Sequence, residues 1–128
     1  MRKEKNELLG SLEKQVMEIV WKRKEVSVRE VCDAVNKKRK TAYTTIMTVM
    51  SRLNDKGILS RKKLGDGSYA YAPKKQREDF YAHESREVID GLIRQCGEVA
   101  VAQFIDAVEK SDISDLAEWQ KKLKKIQG

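Results

Sequence analysis

A chain of 128 residues with 27 Lys and Arg against 20 Asp and Glu carries a formal charge of +7, and 40% of its side chains are apolar. That is material for one domain, or for a small domain with an appendage, and the mixed signs exclude a disordered polycation. No apolar run approaches the ~18 residues of a membrane span, and the opening Met1-Arg2-Lys3-Glu4-Lys5-Asn6-Glu7 lacks a signal peptide's apolar core, so a soluble cytoplasmic protein without membrane insertion is expected.

The first predicted element is a helix over Leu8 to Lys22, because Leu12, Val16, Ile19 and Val20 recur at helical spacing on one face. Ser27-Val28-Arg29-Glu30 then matches a capping box, in which the serine hydroxyl accepts from a free backbone N–H and the glutamate reaches back. Val28, Val31 and Val35 continue it as a short second helix ending near Asn36. Four basic residues follow, Lys37, Lys38, Arg39 and Lys40, leading into a third helix from Thr41 to Lys56 that Gly57 closes as a left-handed stop.

In that third helix Ile46, Val49, Met50 and Leu53 form the core stripe, while Tyr43, Thr44, Thr45, Met47, Thr48 and Arg52 take the other face. Four threonines within eight residues are poor helix formers, so something other than helix stability selects them. After Gly57 the period changes to two. Ile58 to Leu64 and Ser68 to Ala72 read as strands about a Gly65-Asp66-Gly67 turn, a hairpin with a basic first strand.

Three helices and a hairpin make a winged helix-turn-helix. Its end, residues 72–75, contains the only proline, Pro73, and coincides with a reversal of charge: residues 1–77 hold 20 basic and 9 acidic side chains, net +11, and residues 78–128 hold 7 and 11, net −4. The first part suits a polyanion and the second does not. The domain division is therefore 1–73 for DNA binding and 74–128 for a helical dimerisation domain. The latter divides into helices over Gln76 to Cys96, over the stretch with Val101, Phe104, Ile105 and Val108, and over a last one capped by Ser114, with Leu116, Trp119, Leu123 and Ile126. Some fifty residues in three amphipathic helices do not readily enclose a core of their own, so a homodimer through Val88, Leu92, Val101, Phe104, Ile105, Val108, Leu116, Trp119 and Leu123 is expected.

A helix-turn-helix lays its second helix in the major groove. Tyr43, Thr44, Thr45, Met47 and Thr48 are the expected base contacts, since threonine hydrogen-bonds bases and its methyl packs on thymine. Lys37, Lys38, Arg39, Lys40, Arg52, Arg61, Lys62 and Lys63 are the expected phosphate contacts. A charge run alone is commonly just a solvated surface, but two runs flanking an uncharged helix face favour DNA. A winged helix that binds an acidic protein partner is the alternative.

Catalytic and metal signals are weak, and neither catalysis, a metal nor a cofactor is expected. His83 is the only histidine and reads as a helix surface residue. Cys32 and Cys96 lack CxxC spacing and read as small apolar packing residues. The Gly65-Asp66-Gly67 segment lacks the GK[ST] ending of a phosphate loop.

Leu9-Gly10-Ser11-Leu12-Glu13, Val16-Met17, Ile19-Val20-Trp21, Val28-Arg29-Glu30-Val31, the run Ala42 to Leu53 (AYTTIMTVMSRL), Lys56-Gly57 and Tyr69-Ala70-Tyr71-Ala72-Pro73 together resemble the penicillinase-repressor (BlaI/MecI) family and its copper-responsive CopY-type relatives. The likeness is one of letters over 9–73 and of architecture beyond. The resemblance implies a dimeric winged-helix repressor of inverted repeats with TACA/TGTA-type half-sites, with Thr44, Thr45, Met47 and Thr48 at bases and Lys40, Arg52 and Arg61 to Lys63 at phosphates. Met47 stands where some members carry a basic residue. It further implies release by a membrane sensor-protease that cuts an Asn-Phe bond, for which Gln103-Phe104 is the nearest match; the CxCx4CxC cluster of the copper branch is not in the sequence.

Overall fold

The computed structural model describes residues 7–111 and 116–127, except the side chains of Leu116, Ile126 and Gln127. In chain order the elements are α1 (Ser11–Arg23), α2 (Val28–Asn36), α3 (Tyr43–Asp55), β1 (Leu59–Lys63), β2 (Tyr69–Pro73), α4 (Arg77–Cys96), α5 (Glu98–Glu109) and α6 (Leu116–Gln127). The chain divides into two compact units, Met1–Arg77 and Glu78–Gly128. The fold is mainly helical, and the first unit is a winged helix.

Its core is drawn from every element of that unit. Val16, Met17 and Val20 of α1, Val31 of α2, Ile46, Met50 and Leu53 of α3 and Leu59 of β1 are fully buried, with Val26 and Tyr71 nearly so. The apolar periodicity of the three helices accounts for this, since residues three and four apart share a face. Trp21 closes one edge, its indole N–H donating to the Lys75 carbonyl at 3.0 Å.

Helix boundaries follow local chemistry. Gly10 caps α1 in extended backbone and donates its N–H to the Glu13 carboxylate at 2.9 Å, so the helix starts at Ser11 rather than Leu8. The same carboxylate takes Lys56 Nζ at 2.9 Å, joining the start of α1 to the end of α3. The capping box of α2 is present in both halves: Glu30 N–H donates to Ser27 Oγ (3.1 Å) and Ser27 N–H to Glu30 Oε1 (2.9 Å). Gly57, at φ 79°, ends α3 with paired bonds from Gly57 N–H to the Asn54 carbonyl and from Ile58 N–H to the Leu53 carbonyl. Lys24, by contrast, holds φ 74° without being glycine, in a three-residue turn closed from Glu25 N–H to the Arg23 carbonyl at 2.9 Å. Such a turn is strained.

β1 and β2 pair antiparallel with Leu59 opposite Pro73 and Lys63 opposite Tyr69, one residue later at the second strand's end than the alternation suggested. The three-residue loop 65–67 ends on Gly67 at φ 88°, the left-handed position that such hairpin loops use. Asp66 accepts from Ser68 N–H (3.0 Å) and Ser68 Oγ (2.6 Å), and these bonds hold its carboxyl below the ordinary range. Val26 and Tyr71 exchange backbone bonds at 2.9 and 2.8 Å, which fixes the wing to the strand-like segment before α2.

In the second unit Phe80 is the only buried side chain among the described residues. Val88, Leu92, Val101, Phe104, Ile105, Trp119 and Leu123 are exposed, Phe104 at 57%. Val108 is half-buried, and the side chain of Leu116 and the expected Ser114 cap lie outside the described residues. Among the described residues no helix is long and apolar enough to cross a membrane.

Candidate nucleic-acid interface

The turn between α2 and α3 positions the rest. Asn36, the last residue of α2, acts as a backbone mimic: its Oδ1 accepts from Thr41 N–H at 2.9 Å and its Nδ2 donates to the Thr41 carbonyl at 2.9 Å. The same amide reaches back to the Cys32 carbonyl at 2.7 Å. Buried Cys32 lies under this clamp, 3.3 Å from Asn36 Nδ2 and 3.9 Å from the Thr41 carbonyl. Thr41 is thereby held out of the helix, and α3 begins at Tyr43 instead of Thr41. Its N-cap, Ala42, offers no side-chain cap, so the helix start remains open to an anion.

Because Ile46, Met50 and Leu53 turn inward, Thr44 and Thr48 stand at the opposite pole of α3, flanked by exposed Thr45, Met47 and Arg52. A groove of about 850 Å³ runs between this helix, the start of α2 and the wing. Of the residues expected from sequence it gathers Tyr43, Met47, Thr48, Arg52 and Arg61. Thr44 and Thr45 are exposed on α3 outside its lining.

The basic residues do not act as blocks. Arg61 faces the groove, with its guanidinium 4.2 Å from the Tyr69 ring centre and Nη1 donating to the Tyr71 hydroxyl at 3.1 Å. That hydrogen bond raises its pKa further and Asp55 adds a smaller push, so Arg61 stays cationic. Strand alternation turns Lys62 to the other face, where its ammonium lies 3.6 Å from Glu25. In the turn, Lys37, Lys38 and Lys40 are exposed and Arg39 is half-buried. Lys38 lines a separate cleft between α1 and α2.

Sequence reasoning missed Arg29, Tyr69, Ser51 and Asp55, all of which line the groove. Arg29 falls within the capping-box motif at the start of α2, and its approach to Tyr43, 4.8 Å from guanidinium to ring centre, is a tertiary contact that sequence spacing does not show. The alternation of Tyr69 and Tyr71 with Arg61 opposite was the signal for the wing's inner face.

His83 is exposed on α4, 3.9 Å from both Glu84 and Glu87, as a surface histidine would be. No group of three metal-ligating residues occurs among the described residues.

The sequence pattern described as penicillinase repressor matches residues 9–124. The chain is 40% identical over 75 residues to the transcriptional regulator BlaI of Mycobacterium tuberculosis, a stretch that is 58% of this chain and spans about half, 54%, of that relative. It is 28% identical over 106 residues to the methicillin resistance regulatory protein MecI of Mammaliicoccus sciuri, covering 83% of each. Among solved structures, the DNA-binding domain of the repressor BlaI aligns with a TM-score of 0.50 and 28% identity, over 59% of this chain and 90% of that one.

Proposed function

Because the chain belongs to the penicillinase repressor family, we propose that it is a sequence-specific DNA-binding repressor, which occupies an inverted-repeat operator as a homodimer and blocks transcription. The family is one of repressors rather than enzymes, and no catalysis enters this reading. The protein acts in the cytoplasm, where its operator is. The observation that carries the reading is the α3 face: Thr44, Thr45, Met47 and Thr48 are all exposed, and Met47 and Thr48 line the groove that also holds Arg52 and Arg61.

Thr44, Thr45, Met47 and Thr48, with Tyr43, take the base edges of TACA/TGTA-type half-sites. Arg52, Arg61, Lys63 and the turn residues Lys37, Arg39 and Lys40 hold phosphates; Lys38 and Lys62 contribute at longer range. Met47, which offers only an apolar contact, favours a thymine methyl at its position.

The second unit supplies the dimer. Its exposed Val88, Leu92, Val101, Phe104, Ile105, Trp119 and Leu123 cover one another across a two-fold axis, joined by half-buried Val108. Release by a membrane sensor-protease at Gln103-Phe104 requires α5 to open first, since that bond lies inside the helix Glu98–Glu109.

A salt titration tests the reading. Log K for duplex DNA is expected to fall linearly with log salt, at a slope of about −0.9 per phosphate contacted, and Lys40→Ala is expected to lessen that slope by about 0.9 on any duplex. Indifference to duplex DNA at moderate salt would instead favour binding to an acidic protein.

A further inference from the structure

The start of α2 carries a cation that helix stability does not call for. Arg29 is the second residue of α2, where the helix dipole disfavours positive charge. Among the described residues no carboxylate lies within ion-pair distance of it, and neighbouring Glu30 is turned back onto the Ser27 N–H at 2.9 Å. Its guanidinium instead lies over the Tyr43 ring, 4.8 Å from the centre. Both side chains are exposed, and both line the groove.

We propose that Arg29 is a further DNA-contacting residue, gripping a phosphate beside the half-site while its stacked guanidinium holds the Tyr43 ring in place for base contact. This rests on the DNA-binding reading above. The first helix of a helix-turn-helix crosses the DNA backbone, and a phosphate there is drawn by the α2 N-terminus as well as by the arginine. Stacking leaves the edge of the planar guanidinium free to donate, which an ammonium does not reproduce. The two residues thus form one unit: the cation supplies grip, and the ring it positions supplies choice of base.

The test is a double-mutant cycle on an operator selected from random duplexes, with a scrambled duplex beside it, across a salt series. Arg29→Ala is expected to weaken binding to the scrambled duplex about five- to tenfold and to the operator by more, and to lessen the salt slope by about 0.9 on both. Arg29→Lys is expected to keep the slope and still lose operator affinity. Arg29→Ala combined with Tyr43→Leu is expected to fall short of the product of the single effects by about two- to fivefold, the size of a cation–π coupling. An unchanged slope in Arg29→Ala, or strictly multiplicative effects, would overturn the proposal. Wild-type protein that binds neither duplex would overturn the DNA-binding reading beneath it.

Discussion

Phe104→Asp is expected to convert the protein to a monomer and to lower operator affinity by about 10²- to 10⁴-fold, with the winged helix still folded. Phe104 and Ile105 are 57% and 51% exposed on α5, a helix with no buried residue. A stripe of this kind is stable only when something apolar covers it, and the occupant proposed above is a second copy. A carboxylate placed there has to be desolvated without a partner, which opposes association strongly. The core of the winged helix is made by α1, α2, α3 and the hairpin, so the substitution leaves those contacts alone. With the dimer gone, each half-site binds independently and the effective concentration that linked them is lost. Sedimentation equilibrium and a duplex titration on the same sample check this. A variant that remains dimeric, or a monomer that binds the operator as tightly as wild type, would contradict the assignment.

Asn36→Ala is expected to cost about 1–3 kcal/mol of stability and to weaken operator binding along with it. The side chain satisfies the N–H and the carbonyl of Thr41 together, each at 2.9 Å, and ties them to the Cys32 carbonyl at 2.7 Å. Alanine leaves all three groups without that partner. The turn then loses the clamp that sets where α3 begins, and a recognition helix shifted by a fraction of a turn presents different side chains to the bases. Asn36→Asp keeps the acceptor for Thr41 N–H but removes the donor and sets a carboxylate beside a carbonyl, so it should not rescue. Urea denaturation gives the stability and a duplex titration the affinity. A midpoint shift within error of zero would show that the turn is held by other contacts.

The ends of α2 were legible because their determinants are local: Ser27 and Glu30 are three residues apart and make the cap by themselves. The Gly57 stop was legible for the same reason. The start of α3 was displaced by two residues because it is decided by a side chain on the preceding helix, Asn36, acting on Thr41. Thr41 reads as the first residue of the helix until that clamp is seen. The phosphate-contact set was grouped by adjacency in sequence, whereas geometry separates it. Arg61 joins Tyr69 and Tyr71 in the groove while Lys62 meets Glu25 on the other face. Arg29 was hidden in a motif whose other members explained themselves. Pro73 and the charge reversal from +11 to −4 set the expected division at 73–74, and the two compact units of the fold divide between Arg77 and Glu78.

Thr48→Ala, titrated against a selected inverted-repeat duplex and a scrambled duplex at one salt concentration, tests the central claim most directly. Thr48 is exposed at the pole of α3 opposite its buried face, so alanine there leaves the core intact. If α3 reads sequence through its threonines, affinity for the inverted repeat falls by about 1–2 kcal/mol, roughly 5- to 30-fold, and affinity for the scrambled duplex stays where it was. Equal losses on the two duplexes, or no loss on either, would contradict the account.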